Sequence, residues 1–239
     1  MQNATKMGLN CTGAQMSPLD SKEQLKASQE VRPDIPGNER KLALVRTEEA
    51  AQAEAIGSVP IPGSARGMVK TALNKLVGVS PEVLIDKLGE RLAFERSGVR
   101  LYEALMAKAK AIDSASEAML KTMQHFHDEE AEHLQLVVAA MEKLGADPTA
   151  MTPCADVIGV TSMGVLQTIS DPRTNLAQSL NALLTAELTD NAGWEMLIEL
   201  ADATGQSAIA ESFGKALAQE QVHLETVRGW LADEVMRQV

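Results

Sequence analysis

The chain has 239 residues, with 33 acidic against 22 basic side chains, a formal charge of −11 and a pI near 4.9. An acidic chain does not neutralise phosphates, which excludes a general nucleic-acid binder, and it is repelled by an anionic membrane leaflet. Aromatics make up only 3%, too few for a base-stacking platform.

The N-terminus, from Met1 to Pro18, has no apolar run and does not read as a secretory signal. No stretch approaches the roughly 18 consecutive apolar residues of a membrane span, so the expected location is cytoplasmic. Residues 1–65 carry Pro18, Pro33, Pro36, Gly37, Pro60, Pro62 and Gly63, and read as an extended or partly disordered arm. Within it, Glu39 to Ile56 has helix-forming composition but weak amphipathicity. Residues 66–80 are expected to be a short helix and linker. Ser80-Pro81 is a helix start, with Ser as N-cap and Pro at the first helical position.

From Pro81 to the end, residues 81–239, the chain reads as helical. A first long helix runs to about Ile112. Asp113-Ser114 offers a cap for a second, which Gly145, Pro148 and Pro153 end. A long connection follows, with a short helix expected from Ser162 to Ile169. Asp171-Pro172 is expected to open the third helix, which runs to about Ala203. Gly205 and Ser207 mark a tight turn, and the fourth helix runs almost to Val239. The expected fold is all-α: a four-helix bundle with one long crossover between the second and third helices, plus an N-terminal extension.

Core positions of a bundle recur at alternating steps of three and four. In the second helix that series is Met119, Met123, Phe126, Glu130, His133, Val137, Ala140, Leu144. The fourth gives Ile209, Phe213, Ala216, Glu220, His223, Val227. The first gives Leu88, Leu92, Glu95, Val99, Tyr102, and the third gives Leu180, Leu183, Glu187, Asp190, Trp194. Each stripe is apolar except at its middle. A buried carboxylate without a partner would protonate rather than stay charged, so four of them need a common compensation.

The heights agree as well. The midpoint of 95 and 130 is 112.5, at the break after Ile112, and the midpoint of 187 and 220 is 203.5, at the Ala203-Thr204 break. Antiparallel neighbours meet level when they lie equally far from their turn, so Glu95 faces Glu130 and Glu187 faces Glu220. One Glu from each of two helices, with Glu-x-x-His from each of the other two, is the donor set of di-iron carboxylate bundles. Four carboxylates balance two divalent ions. Oxygen and imidazole donors suit iron, with manganese as an alternative. The only cysteines are Cys11 and Cys154, and no Cys-x-x-Cys occurs.

On Glu95, Glu130-Ala-Glu-His133, Glu187 and Glu220-Gln-Val-His223, residues 81–239 resemble the ferritin-like superfamily, and within it the rubrerythrin-type di-iron proteins. The resemblance implies that these six residues ligate two iron ions. Tyr102, seven residues after Glu95, would hydrogen-bond near the cluster, and Asp190, three after Glu187, stands where that family has a further carboxylate ligand. Here it is Asp, with a shorter reach. The rubredoxin module of such proteins is missing from this chain, so a separate electron donor is implied.

The expected activity is oxidation of Fe(II) coupled to reduction of hydrogen peroxide or dioxygen. Ferritin-type iron storage, or oxygenation of an organic substrate, are the alternatives, and a homodimer or larger homo-oligomer is expected. Phe126 and Phe213 are expected to shield the cluster. His127 reads as a surface residue, His125 as exposed, and Glu129 and Glu132 as the solvated face of the second helix.

Overall fold

The computed structural model describes residues 5–10, 12–61, 81–111 and 115–239. The helix and linker expected at 66–80, the Ser80 cap and the Asp113-Ser114 cap lie outside the described residues. The described chain is all-helical. It divides into a unit spanning Ala4–Ile56 and one spanning Gly57–Val239.

The N-terminal unit holds a short 3₁₀ turn, Ala14–Met16, and two helices, α1 (Pro18–Glu30) and α2 (Glu39–Gln52), none with a buried residue. Each start has a local cause. Pro18 occupies the first turn of α1. The Asn38 side chain accepts from the Lys41 amide, 2.7 Å away, at the start of α2.

The second unit contains α3 (Pro81–Ala111), α4 (Glu117–Leu144), α5 (Pro153–Ser170), α6 (Leu176–Ala203) and α7 (Ser207–Met236). The cap of α4 is Ser116, whose side chain accepts from the Met119 amide. Gly145, at φ 83°, closes α4 in the left-handed conformation that glycine adopts without steric cost.

Two boundaries differ from the sequence expectation. The expected Ser162–Ile169 segment is the C-terminal half of a full helix that begins at Pro153. Thr152 caps it, and the Asp86 carboxylate of α3 accepts from the Cys154 amide at 2.8 Å. Gly89 makes room for this junction, since a Cβ there would overlap the Thr152 side chain. The third long helix begins at Leu176 rather than at Asp171-Pro172. Asn175 and Gln178 form a capping box that satisfies both orphan amides. Asp171 instead takes its neighbour Arg173 on its carboxylate, and Lys108 Nζ on its carbonyl at 2.8 Å.

Helix α3 packs against α4, α5 and α6, and α6 packs against α5 and α7. The apolar core falls into two clusters. One holds Leu84, Leu88 and Leu92 of α3 with Val137 and Met141 of α4, Trp194 and Leu197 of α6, and Ile209 and Phe213 of α7. The other holds Tyr102 and Leu105 with Met123 and Phe126, Leu180 and Leu183, and Val227. Along α3 and α7 the first cluster precedes the second; along α4 and α6 the order is reversed. So α3 and α7 run one way and α4 and α6 the other. On every one of the four helices the boundary between the clusters is marked by a glutamate.

Candidate metal centre

That boundary is a buried polar layer. Glu95, Glu130, His133, Glu187, Glu220 and His223 are all no more than 2% exposed. Each comes from an otherwise apolar stripe, so the fold delivers it to the interior regardless of its own cost of desolvation.

The six side chains form two overlapping groups. Glu95, Glu130, His133 and Glu220 bring ligand atoms within 4.8 Å of one another, as do Glu130, Glu187, Glu220 and His223. Glu130 and Glu220 belong to both. Each group therefore has one private Glu and one private His. The private pairs come from different helices: Glu95 of α3 with His133 of α4, and Glu187 of α6 with His223 of α7.

The unsatisfied atoms point the same way. Glu95 Oε2, Glu130 Oε2, Glu187 Oε2, both oxygens of Glu220, and Nδ1 of both histidines are buried, and none has a hydrogen-bond partner outside the cluster. His133 Nδ1 lies 2.7 Å from Glu220 Oε1, and His223 Nδ1 lies 3.2 Å from Glu220 Oε2 and 3.8 Å from Glu130 Oε1. A native interior rarely leaves so many polar atoms unpaired without a bound ion. Carboxylate oxygens and imidazole nitrogens in this number fit a pair of iron ions.

The far side of each imidazole is fixed. His223 Nε2 donates to Glu129 Oε2 at 2.8 Å, and His133 Nε2 donates to Gln219 Oε1 at 3.0 Å. The Gln219 amide in turn donates to Glu129 Oε1 at 2.5 Å. One carboxylate thus orients both rings, directly and through Gln219, and leaves both Nδ1 atoms facing the centre. Here the structure corrects the sequence reading. Glu129 is not on the solvated face of its helix; its side chain is only 13% exposed. Its position one residue before Glu130 carried the signal, as does that of Gln219 before Glu220. Glu132 is exposed as expected, and so is His125, with Nε2 3.5 Å from Glu129. His127 is half-buried and turns to Asp128 and Glu103.

Arg91 is the other residue that sequence reading passed over. It is 3% exposed, one turn before Glu95, and its guanidinium contacts Glu95 Oε1 at 3.2 Å and the carboxylate of Asp190. Asp190 is buried, but it belongs to neither group and serves Arg91. Arg91 also lies over the Phe94 and Trp194 rings, 4.7 and 5.6 Å from their centroids. Gly193 leaves room beside it, since a Cβ there would overlap the guanidinium and displace it. At Gly98 the same argument applies to Glu130, whose carboxylate occupies the space a Cβ would take.

The Tyr102 hydroxyl donates to Glu187 Oε1 at 2.6 Å. Phe126 lies 4.0 Å from the His223 ring, and Trp194 packs edge-on to His133 at 5.6 Å. Phe213 reaches Trp194 at 5.0 Å, so it backs the indole that covers His133. Asn191 donates to the carbonyls of Glu187 and Glu220, tying α6 to α7 at this height.

Without cations the layer is electrostatically stressed. Burial, and then the Glu130 charge, push the Glu95 carboxyl well above its ordinary range. Burial and the Glu220 charge do the same to Glu187. Burial also opposes ionisation of Glu220, but contacts with both histidines hold it down at about 2. His223 is lowered by burial yet raised further by Glu130 and Glu220, to about 11. The site therefore stores protons where it could store metal cations.

Residues 83–180 match the family model described as ubiquinone biosynthesis protein COQ7. The matched stretch contains Glu95, Glu130 and His133, and ends before Glu187, Glu220 and His223. No curated protein and no solved structure matches the chain. The matched family lies within the ferritin-like di-iron carboxylate superfamily, in keeping with the chemistry of the buried cluster.

Proposed function

We propose that the protein is a ferritin-like di-iron carboxylate protein that oxidises Fe(II) and reduces dioxygen or hydrogen peroxide in the core of its bundle. The observation that carries this reading is the set of buried, unpaired donor atoms on Glu95, Glu130, His133, Glu187, Glu220 and His223. In this reading Glu130 and Glu220 would serve both metal positions, with Glu95 and His133 completing one and Glu187 and His223 the other. Two ferrous ions held there would supply one electron each, enough with two protons to take hydrogen peroxide to two waters or dioxygen to hydrogen peroxide. The two helix directions support the ferritin-like topology, with α5 as part of the crossover.

The surrounding residues have separate tasks. Glu129 and Gln219 hold the imidazole tautomers. Tyr102 keeps a proton on its hydroxyl beside Glu187 Oε1; burial and the Glu187 charge push its pKa well up, so it acts as a donor and not as an anion. Phe126 and Trp194 exclude water from the histidines. That Tyr contact supports the rubrerythrin-type branch. A separate electron donor would re-reduce the centre.

A second reading is favoured by the match of residues 83–180: hydroxylation of an organic substrate, a quinone precursor, at the same centre. The test is anaerobic Fe(II) loading followed by stopped-flow mixing with each oxidant. Binding of about two iron ions per chain, with oxidation faster by peroxide than by dioxygen, is the expected result. Failure to bind iron above background would sink both readings. A hydroxylated product from a quinone precursor, dioxygen and a reductant, identified by mass, would select the second.

A further inference from the structure

We propose that the two metal positions are chemically unequal and fill in order: Glu187/His223 first and tightly, Glu95/His133 second and weakly. The inference rests on reading the cluster as a dinuclear centre. Because Glu130 and Glu220 belong to both groups, any difference must come from the private residues and from what touches them.

At the first position, His223 donates its Nε2 proton to a carboxylate, Glu129 Oε2, at 2.8 Å. A carboxylate acceptor makes the imidazole more basic and its Nδ1 a stronger donor to a metal. The private Glu187 is touched by a neutral group, the Tyr102 hydroxyl, at 2.6 Å.

At the second position both features are weaker. His133 donates to the neutral amide oxygen of Gln219 at 3.0 Å. Glu95 takes the guanidinium of Arg91 on Oε1 at 3.2 Å. That charged donor draws negative charge away from the oxygen left for a metal, and its own charge opposes a nearby cation. Asp190 offsets part of the charge, and together with the Phe94 and Trp194 rings it holds the guanidinium beside Glu95. The two differences, one on each private ligand, act in the same direction. Arg91 and Gln219 are positioning residues of the weak side; Glu129 accepts directly from the tight-side histidine and reaches the weak-side one only through the neutral Gln219 amide.

The test is an anaerobic titration of the full metal-free chain with Co(II) at fixed pH, read by visible absorption and calorimetry. Neither readout depends on turnover. Two steps at least about tenfold apart in affinity are expected, the scale of effects from groups that orient a ligand. His223→Ala should remove the tight step, while His133→Ala should remove the weak step and leave the tight one. Glu129→Gln should weaken the tight step by about 10- to 100-fold and narrow the gap. The double variant Arg91→Met/Asp190→Asn should strengthen the weak step without leaving a buried unpaired charge. Two steps of equal affinity, or loss of the tight step in His133→Ala, would overturn the ordering while leaving a dinuclear centre standing. Saturation at fewer than two cobalt ions per chain would overturn the dinuclear reading itself. Glu129→Gln provides the answer if the double variant does not fold, with helical content checked by circular dichroism.

Discussion

Helices α2 and α4 look alike by composition. Both mix acidic, basic and aliphatic residues, and both have a side-chain N-cap. Yet α2 buries nothing, whereas α4 buries Met119, Met123, Phe126, Glu130, His133 and Val137 along one face. The difference lies in phase. In α4 the apolar residues repeat at steps of three and four, so that face is driven inward and carries its Glu and His with it. In α2 no such face exists, and its glutamates remain in water. A carboxylate becomes a candidate ligand through the company it keeps along the helix.

If that contrast is correct, substitutions in the buried layer should have large effects and changes in the N-terminal unit almost none. The largest effect is expected for Glu130→Ala. Glu130 belongs to both groups, so the variant should lose at least one of the two metals, measured by metal analysis after anaerobic iron loading; unchanged stoichiometry would count against the assignment. Arg91→Met comes next. It leaves Asp190 buried without its partner and should cost about 3–5 kcal/mol in urea unfolding of the metal-free protein. Gly98→Ala places a Cβ where the Glu130 carboxylate lies, and should cost about 1–3 kcal/mol as overpacking, with a loss of metal affinity that a neutral surface change would not produce.

The metal-free protein should also show a defined pH dependence. The Glu95 and Glu187 carboxyls are raised well above their ordinary 4.5, and His223 is raised from 6.5 to about 11. All three bind protons more tightly in the folded state. Their contribution is complete below the unfolded values and is lost as pH rises toward the folded ones. Glu220, held at about 2, acts oppositely: its contribution is present above 4.5 and lost as pH falls toward 2. Melting temperature should therefore peak near about pH 5 and decline through neutrality. Bound metal displaces those protons, so loading should release protons and flatten the decline. A metal-free melting temperature that rises between pH 6 and 8 would refute the scheme. The smallest effect is expected for removal of residues 1–56. With no buried residue in α1 or α2, stability should change by less than about 0.5 kcal/mol, and the metal content per chain should stay the same.

Much of this layout was legible because helical periodicity is a property of one strand of sequence read along its own axis. Heptad phase brought Glu95, Glu130, His133, Glu187, Glu220 and His223 to the interior, and equal distances from two turns brought them level. Turn chemistry was less legible. Asp171-Pro172 has the composition of a helix start, but the Asn175–Gln178 box a few residues on satisfies more amides, and α6 begins there. The start of α5 was hidden because Pro153 reads as the end of α4, although Thr152 caps α5 locally; the contact of its Cys154 amide with Asp86, far away in α3, is not encoded nearby.

Which residues face inward, and at what height, follows from local helix geometry and is written in the amino-acid order. What each one meets there depends on how the helices pack. Glu129 lies one position off the core phase of its own helix and reads as solvated, yet α7 approaches at that angle and supplies His223 and Gln219 to it. Asp190 has the phase of a ligand, but α3 sets Arg91 against it. The angle and separation at which two helices pack are products of every side chain between them, and no period along either chain encodes them.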